Sequence, residues 1–449
     1  MAGQALGVVD GPPREAVPSR RYAVIVASFL ALVYSFNFMD RQILSILQEQ
    51  IRHEMGLTDT QLGLLSGLSF ALFYTGFGIP VAWLSDRYRR VTIMATACAI
   101  WSLATAGCGL ARGFGQLAVA RVLVGAGEAG GSPPSYSLIS DYFPPERRGT
   151  GLAIYSLGVP IGSALGVALG GWMAVHYGWR TAFVMVGLPG LLLALLMLVV
   201  IREPKRGALD PGYTGTPGPA RPLGQVLATF VRDRTLMLTA IAAGLSSFVG
   251  YALLAWNPSF LERVKGMSLA EVAGTYSILL GITGIIGTLV AGRLVDRLGE
   301  RDMRWYAWLP ALAFLLELPA FVGFLWVPGR ALSLVFLTLL ALLGNAYLAP
   351  ALALIQNAAP PSQRSVAGAS LLFLLNLIGL GGGPLFVGRV SDIAHARGAT
   401  QPLLIAFAAL IPVIMLTIIL YMLVAASLVR RDTGHSGSPV AGDRGAPTN

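Results

Sequence analysis

Charge is scarce in this chain. Asp, Glu, Lys and Arg make up 12% of its 449 residues, about half the share of an ordinary soluble domain. Hydrophobic residues make up 55%, and mean hydropathy is +0.68. That balance excludes a soluble globular fold. Lysine is scarcer still: two lysines stand against thirty arginines. With abundant Ala, Gly and Leu, this is the composition of a GC-rich bacterial gene. There are two cysteines, Cys98 and Cys108, ten residues apart in one apolar segment and too distant along a helix for a disulfide. The four histidines (His53, His176, His395, His435) lack metal-ligand spacing, so no metal is expected. A Gly-rich phosphate loop with its lysine is missing, which argues against an ATP-driven pump. No nucleophile with a base marks an enzyme, and no cofactor is called for. The first 21 residues hold no short apolar run with a cleavage site, so no signal peptide is read.

What is present is apolar sequence in long pieces. A bilayer crossing needs about 20 apolar residues, and about twelve segments qualify, near 22–47, 60–84, 91–111, 114–140, 150–175, 180–201, 236–261, 272–294, 304–326, 331–357, 365–393 and 402–428. The expected fold is an all-α membrane protein of twelve transmembrane helices. With residue 1 in the cytoplasm, about 22 of the 32 Lys and Arg fall on cytoplasmic segments and about 8 on the other side. This positive-inside bias puts both termini in the cytoplasm, in a bacterial inner membrane. It also explains the net charge of +10 without nucleic acid. The expected division is a cytoplasmic segment 1–21, a six-helix bundle 22–201, a cytoplasmic linker 202–235, a second six-helix bundle 236–429 and a disordered tail 430–449. Within the linker, 221–234 reads as a short amphipathic surface helix.

The chain repeats itself. AWLSDRYRR (82–90) follows the second segment and GRLVDRLGER (292–301) the eighth, with Asp86 and Asp296 210 residues apart. DYFPPERRGTG (141–151) follows the fourth and NAAPPSQRSVAG (357–368) the tenth, at an offset of 216. Two pseudo-symmetric six-helix bundles in the same orientation place a binding site between them near the bilayer midplane. The G-x-L-x-D-R-x-G-x-R pattern in these loops is similar to the signature loop of the major facilitator superfamily. The second copy fits (Gly292, Asp296, Arg297, Gly299, Arg301), while the first has Ala82 for the leading Gly and Arg89 for the second. LAVARVLVGAGEAG (117–130) also looks like that family's R-x-x-x-G-x-G segment. NFMDRQILSIL and GAGEAGGSPPSYSLISDYFPPERRG resemble the Spinster-like branch. The resemblance covers about residues 20–430. It implies the major facilitator fold, cavity-lining first and fourth spans, a monomer, and an amphipathic anionic lipid such as a lysophospholipid or a sphingosine-phosphate-like molecule.

Four charges at membrane depth carry the functional reading. Asp40 and Arg41 interrupt the first segment. Arg121 and Glu128 lie two turns apart in the fourth and share a face, roughly 10 Å apart in depth. Buried ionisable groups cost about 2.5–3.5 kcal/mol each even on lenient scales. At the repeat offsets these positions become Gly250, Tyr251, Leu337 and Gly344, so the charges are not part of the shared framework. Asp40 and Glu128 are the candidate proton carriers. Arg41 and Arg121 are the candidate partners for them or for an anionic substrate. Tyr34 and Asn37 share a helix face with Arg41. The opposite wall is expected to be polar and aromatic, from Ser246, Ser247, Tyr251, Trp256, Asn257 and Asn345. The alternative for the charges is a self-satisfied network that only fixes packing.

The loop residues Asp86, Arg87, Arg90, Asp141, Glu146, Arg148, Asp296, Arg297 and Arg301 are candidate gating groups, with Arg87 and Arg90 able to reach Asp141 or Glu146. The alternative is an anchor that only sets topology. Glu317 reads as a satisfied or protonated structural group. The Gly-rich stretch 158–171 reads as close helix packing or as a hinge like that of antiporters in the superfamily. Pro133, Pro134 and Pro350 are expected to kink their helices. The function expected is proton-coupled secondary transport by alternating access. Carriage of organic anions, multidrug/proton antiport and a transporter-like sensor stand as alternatives.

Overall fold

The structure, a computed structural model, describes residues 19–207, 209, 230–358 and 364–435. Residues 1–18, most of the linker with 221–229 of the amphipathic helix expected over 221–234, and residues 436–449 lie outside the described residues; the last helix runs to His435, so 430–435 of the tail expected to be disordered are helical. All regular structure among the described residues is helical.

Eleven helices are long and apolar enough to cross a membrane. They are Arg20–Met55 (span 1), Asp59–Ser85 (span 2), Arg90–Cys108 (span 3), Arg148–Tyr177 (span 5), Trp179–Val200 (span 6), Arg234–Arg263 (span 7), Leu269–Gly299 (span 8), Trp305–Trp326 (span 9), Arg330–Ile355 (span 10), Ala367–Ala396 (span 11) and Pro402–Leu428 (span 12). The remaining crossing, span 4, is made of two shorter helices, Phe114–Glu128 and Ser132–Tyr142. The fold thus has twelve crossings, with span 4 in two pieces.

The break has a local cause. Pro133 and Pro134 stand in the first turn of the second piece, where a missing N–H leaves no hydrogen bond unmade. Span 10 breaks likewise, between Arg330–Leu343 and Leu348–Ala358, and Pro350 stands in the first turn of its second piece. The turn residues Ala129–Gly131 correspond to 345–347 at the 216 offset. The prolines expected to kink these spans therefore start new helices.

Spans 1 and 5 pack closely because span 5 presents a ridge of glycines at four-residue spacing. A Cβ on Gly162 would stand 2.1 Å from the Ser35 carbonyl oxygen, so no larger residue fits. Gly158 and Gly166 meet Ala31 and Met39 in the same way. Of the two readings of the Gly-rich stretch, these contacts favour close packing.

Spans 2 and 11 each carry a π-helical stretch, Leu64–Leu68 and Leu375–Gly382, and these meet across the two halves, with Gly67 against the Leu380 carbonyl. Span 5 meets span 8 through Gly171 on Ala273 and Pro160 on Gly284. Spans 1 and 7 meet where Ser45 Oγ donates to the Ala255 carbonyl at 2.7 Å. Positions 45 and 255 are one repeat offset apart. Equivalent residues can touch only near the axis that relates the halves, so the pseudo-twofold passes between spans 1 and 7.

Candidate functional site

The four membrane-depth charges come together in the first half. Arg41 Nε donates to Glu128 Oε2 at 2.8 Å, with the Glu128 side chain fully buried and Arg41 11% exposed. The Arg41 guanidinium carbon lies 4.8, 4.7 and 4.9 Å from the ring centres of Phe38, Phe70 and Tyr74. Such contacts offset part of the loss of hydration. Arg121 lies deeper, 1% exposed. It shares the Phe70 ring at 5.4 Å and donates weakly to the Leu65 carbonyl at 3.4 Å.

Asp40 does not pair with its sequence neighbour. Consecutive residues point about 100° apart around a helix. Asp40 accordingly turns to span 3, where Thr105 Oγ1 donates to its Oδ2 at 3.1 Å. Four buried polar atoms here have no partner among the described residues: Asn37 Oδ1, Asp40 Oδ1, Arg121 Nη1 and Glu128 Oε1. Unsatisfied buried groups cost about 1–3 kcal/mol each, so the network is not self-satisfied, which weakens the purely structural alternative. Beside it Tyr34 stacks on Tyr155 with ring centres 4.4 Å apart, and Tyr155 meets Tyr136 edge-on at 5.5 Å.

The second-half wall divides. Tyr251 is half-buried against the core of the first half and close enough to interact electrostatically with Arg41. The others turn away from this cluster. Ser247 Oγ donates to the Leu375 carbonyl at 3.1 Å and packs on Gly379 of span 11. Ser246 bonds Ala242 O and Tyr421. Trp256 Nε1 donates to the Pro384 carbonyl at 2.9 Å. Asn257 Nδ2 reaches Tyr276 at 3.4 Å. Asn345 is exposed in the span 10 break and bonds the Ala341 carbonyl. Ser246, Trp256 and Asn257 point elsewhere round the helix from Tyr251, Ser247 shares its face but is taken up by span 11, and Asn345 stands on another span, and that corrects the expected wall.

Residues 30–384 match the Major Facilitator Superfamily. The chain belongs to that superfamily. It is 35% identical over 395 residues, 87% of this chain and 90% of the relative, to an MFS-type efflux pump of Mycolicibacterium smegmatis. It is 28% identical to a hexuronate transporter of Bacillus subtilis, over 82% of this chain and 87% of that one. The crystal structure of a bacterial homologue of the human lysosomal transporter Spinster, inward-facing and unoccupied, superposes with a TM-score of 0.81 at 30% identity. It covers 92% of this chain and 99% of that one. The transporter is thus Spinster-like in sequence and fold.

The first signature loop is held within one half. Arg90, 1% exposed, pairs with Asp141 of span 4 and with Glu203 beyond span 6, and donates to Ser137 at 2.7 Å. Glu203 Oε2 also accepts the Val91 N–H at 3.0 Å, and Asp141 Oδ1 the Gly207 N–H at 2.9 Å. Arg148 bonds the Ser140 and Phe143 carbonyls at the same end. Both partners of the Arg90–Asp141 pair lie in the first half, so this pair does not join the two halves. Arg87 lies 3.7 Å over the Trp83 ring and pairs with no acid among the described side chains. The side chains of Asp86 and Glu146 lie outside the described residues. In the second loop Asp296, Arg297 and Arg301 are exposed. Asp302 takes up Arg304 instead, whose guanidinium and backbone N–H hold that carboxyl below its ordinary range.

Sequence reasoning missed several partners: Thr105 and Glu203, the Phe70 and Tyr74 rings, and a charged group between the halves formed by Glu49, Asp59, Arg263 and Asp392. Glu49 and Asp59 sit where a loop is expected, and a charge near a loop is no signal by itself. Glu317 is 1% exposed with Oε2 unpartnered among the described residues.

Proposed function

We propose that the chain is a proton-coupled secondary transporter for an amphipathic substrate with an anionic head, working by alternating access from a bacterial inner membrane. The observation that carries this is the Arg41–Glu128 pair, placed beside the interface between halves. Glu128 gives one oxygen to a guanidinium, and its other oxygen has no hydrogen-bond partner among the described residues. A proton on that free oxygen weakens the hold on Arg41, and a freed guanidinium suits a phosphate or carboxylate. Proton and substrate thus take opposite members of one ion pair, so binding of one favours binding of the other, which is the linkage that coupled transport requires. Asp40, held by Thr105, is the second proton-accepting candidate.

The substrate class follows from what surrounds Arg41. Phe38, Phe70, Tyr34, Tyr74 and Tyr251 present mostly ring surface, with few fixed donors or acceptors. A sugar acid carries many hydroxyl groups, and a site selective for it needs a matching set of polar partners. An amphipath needs one charged contact and apolar lining. The relative named as a hexuronate transporter supports the second reading, an organic anion whose carboxylate meets Arg41. The relative named as an efflux pump supports multidrug/proton antiport. The arginine distribution supports a cytoplasmic location for both termini.

Flux in proteoliposomes tests the proposal. Transport of a lysophospholipid should follow an imposed pH gradient and collapse when the gradient is removed. Thermal stabilisation by lysophospholipids, but not by hexuronates, is the expected binding result. Gradient-independent flux, or stabilisation by hexuronates alone, would overturn this assignment.

A further inference from the structure

A second charged group joins the two halves at the end that carries the span 1–2 loop. Arg263, at the end of span 7, donates from Nε to Glu49 Oε1 of span 1 at 2.6 Å and from Nη1 to Asp59 Oδ2 of span 2 at 2.8 Å. Asp59 Oδ2 also accepts from Ser391 Oγ of span 11 at 2.6 Å. Asp392 accepts the backbone N–H groups of Asp59 and Thr60 at 3.0 and 2.8 Å. Glu49 and Asp59 are 7% and 4% exposed. Arg52, His53 and Glu262 are the other charged or titratable groups described here: Arg52 lies 3.3 Å from Asp59, His53 lies 4.0 Å from Glu49, and Glu262 adds an oxygen unpartnered among the described residues.

Among the described side chains, the ion pairs between the two halves, Arg263 with Glu49 and Arg263 with Asp59, lie at this end. Below this latch Ser45 bonds the Leu254 and Ala255 carbonyls and Ser259 bonds Gln48. Opening this end requires these ties to break, whereas the Arg90–Asp141 pair lies within one half. The group is also unbalanced in sign. Glu49, Asp59, Glu262 and Asp392 face Arg52 and Arg263, so loss of Arg263 leaves buried carboxylates facing one another.

We propose that Arg263, with Glu49 and Asp59, is the latch that holds the span 1–2 end closed and sets the balance between the two open forms. These are positioning residues: they touch neither Arg41 nor the substrate it would hold. The proposal rests on the alternating-access reading. Spans 1 and 7 carry both the latch and the Arg41–Tyr251 contact, so one pair of helices spans both sites.

Spin-label distances test this. The buried native cysteines are replaced by alanine. One label pair, Leu110→Cys with Arg397→Cys, spans the latch end. The other, Tyr88→Cys with Glu300→Cys, spans the opposite end; all four positions are exposed. Arg263→Gln should raise the ratio of long to short distances at the latch end at least tenfold and shorten distances at the other end. Glu49→Gln should act in the same direction but less, and stands in if Arg263→Gln does not fold. Unchanged distances in a folded variant, or lowered thermal stability without the reciprocal shift, would overturn the latch. Shifted distances in a protein that moves no solute would keep the latch and refute the transport reading.

Discussion

At the residue scale, the four buried charges do not form two sequence-adjacent pairs. Arg41 binds Glu128 across 87 residues while Asp40 binds Thr105, because a helix turns neighbours apart. Distinct roles follow. Glu128→Gln keeps the shape and removes the ionisable oxygen, so it should abolish gradient-driven flux in a folded protein; full proton-coupled uptake by this variant would count against the role. Arg41 is partly open and Arg121 is not. Arg41→Lys should therefore raise substrate KM at least tenfold, since an ammonium loses the planar contacts on three rings. Arg121→Lys should instead lower thermal stability with little change in KM. Comparing KM and melting temperature for the two variants separates recognition from packing.

At the element scale, small side chains decide how closely the helices approach. Gly162→Ala would press a methyl group against the Ser35 carbonyl, and overpacking of this kind costs about 1–3 kcal/mol. Gly76→Ala, with nothing within 4 Å, should be neutral in the same thermal-unfolding assay. The Arg90 network makes a second test. Removing one partner of a buried ion pair costs about 3–5 kcal/mol, so Arg90→Ala should destabilise the protein strongly. Because Asp141 and Glu203 lie in the same half, spin-label distances between halves should stay unchanged.

At the scale of the whole molecule, the ion pairs that join the halves among the described residues lie at one end. Labelling fixes which compartment that end faces. In inside-out vesicles a membrane-impermeant thiol reagent should modify Tyr88→Cys and Glu300→Cys, and leave Leu110→Cys protected. The reverse pattern would invert the assigned topology.

Much of the architecture was legible along the chain. Twelve apolar segments and a 210–216 residue repeat are consequences of bilayer thickness and chain duplication. The candidate charges were legible too, because an ionisable residue within an apolar run stands out at once. Their partners were not. Thr105 is an ordinary threonine in an apolar helix, and Phe70 and Tyr74 look like lipid-facing rings. Ser247 and Trp256 sit near Tyr251 in sequence but face span 11, and a helix register read from sequence does not say which neighbour each face meets. The two breaks were half visible: prolines marked the places, but only packing determined that the helices restart there rather than bend.

By itself the sequence determined the fold class, the repeat and the presence of charge at membrane depth. These depend on composition and on periodicities of a few residues, which any stretch of chain carries locally. The tertiary structure alone decided that Arg41 pairs with Glu128, that Asp40 turns aside, and that Arg263 joins Glu49 to Asp59 across 204 to 214 residues. Those choices depend on which helix faces meet, and that is settled only when all twelve crossings pack at once.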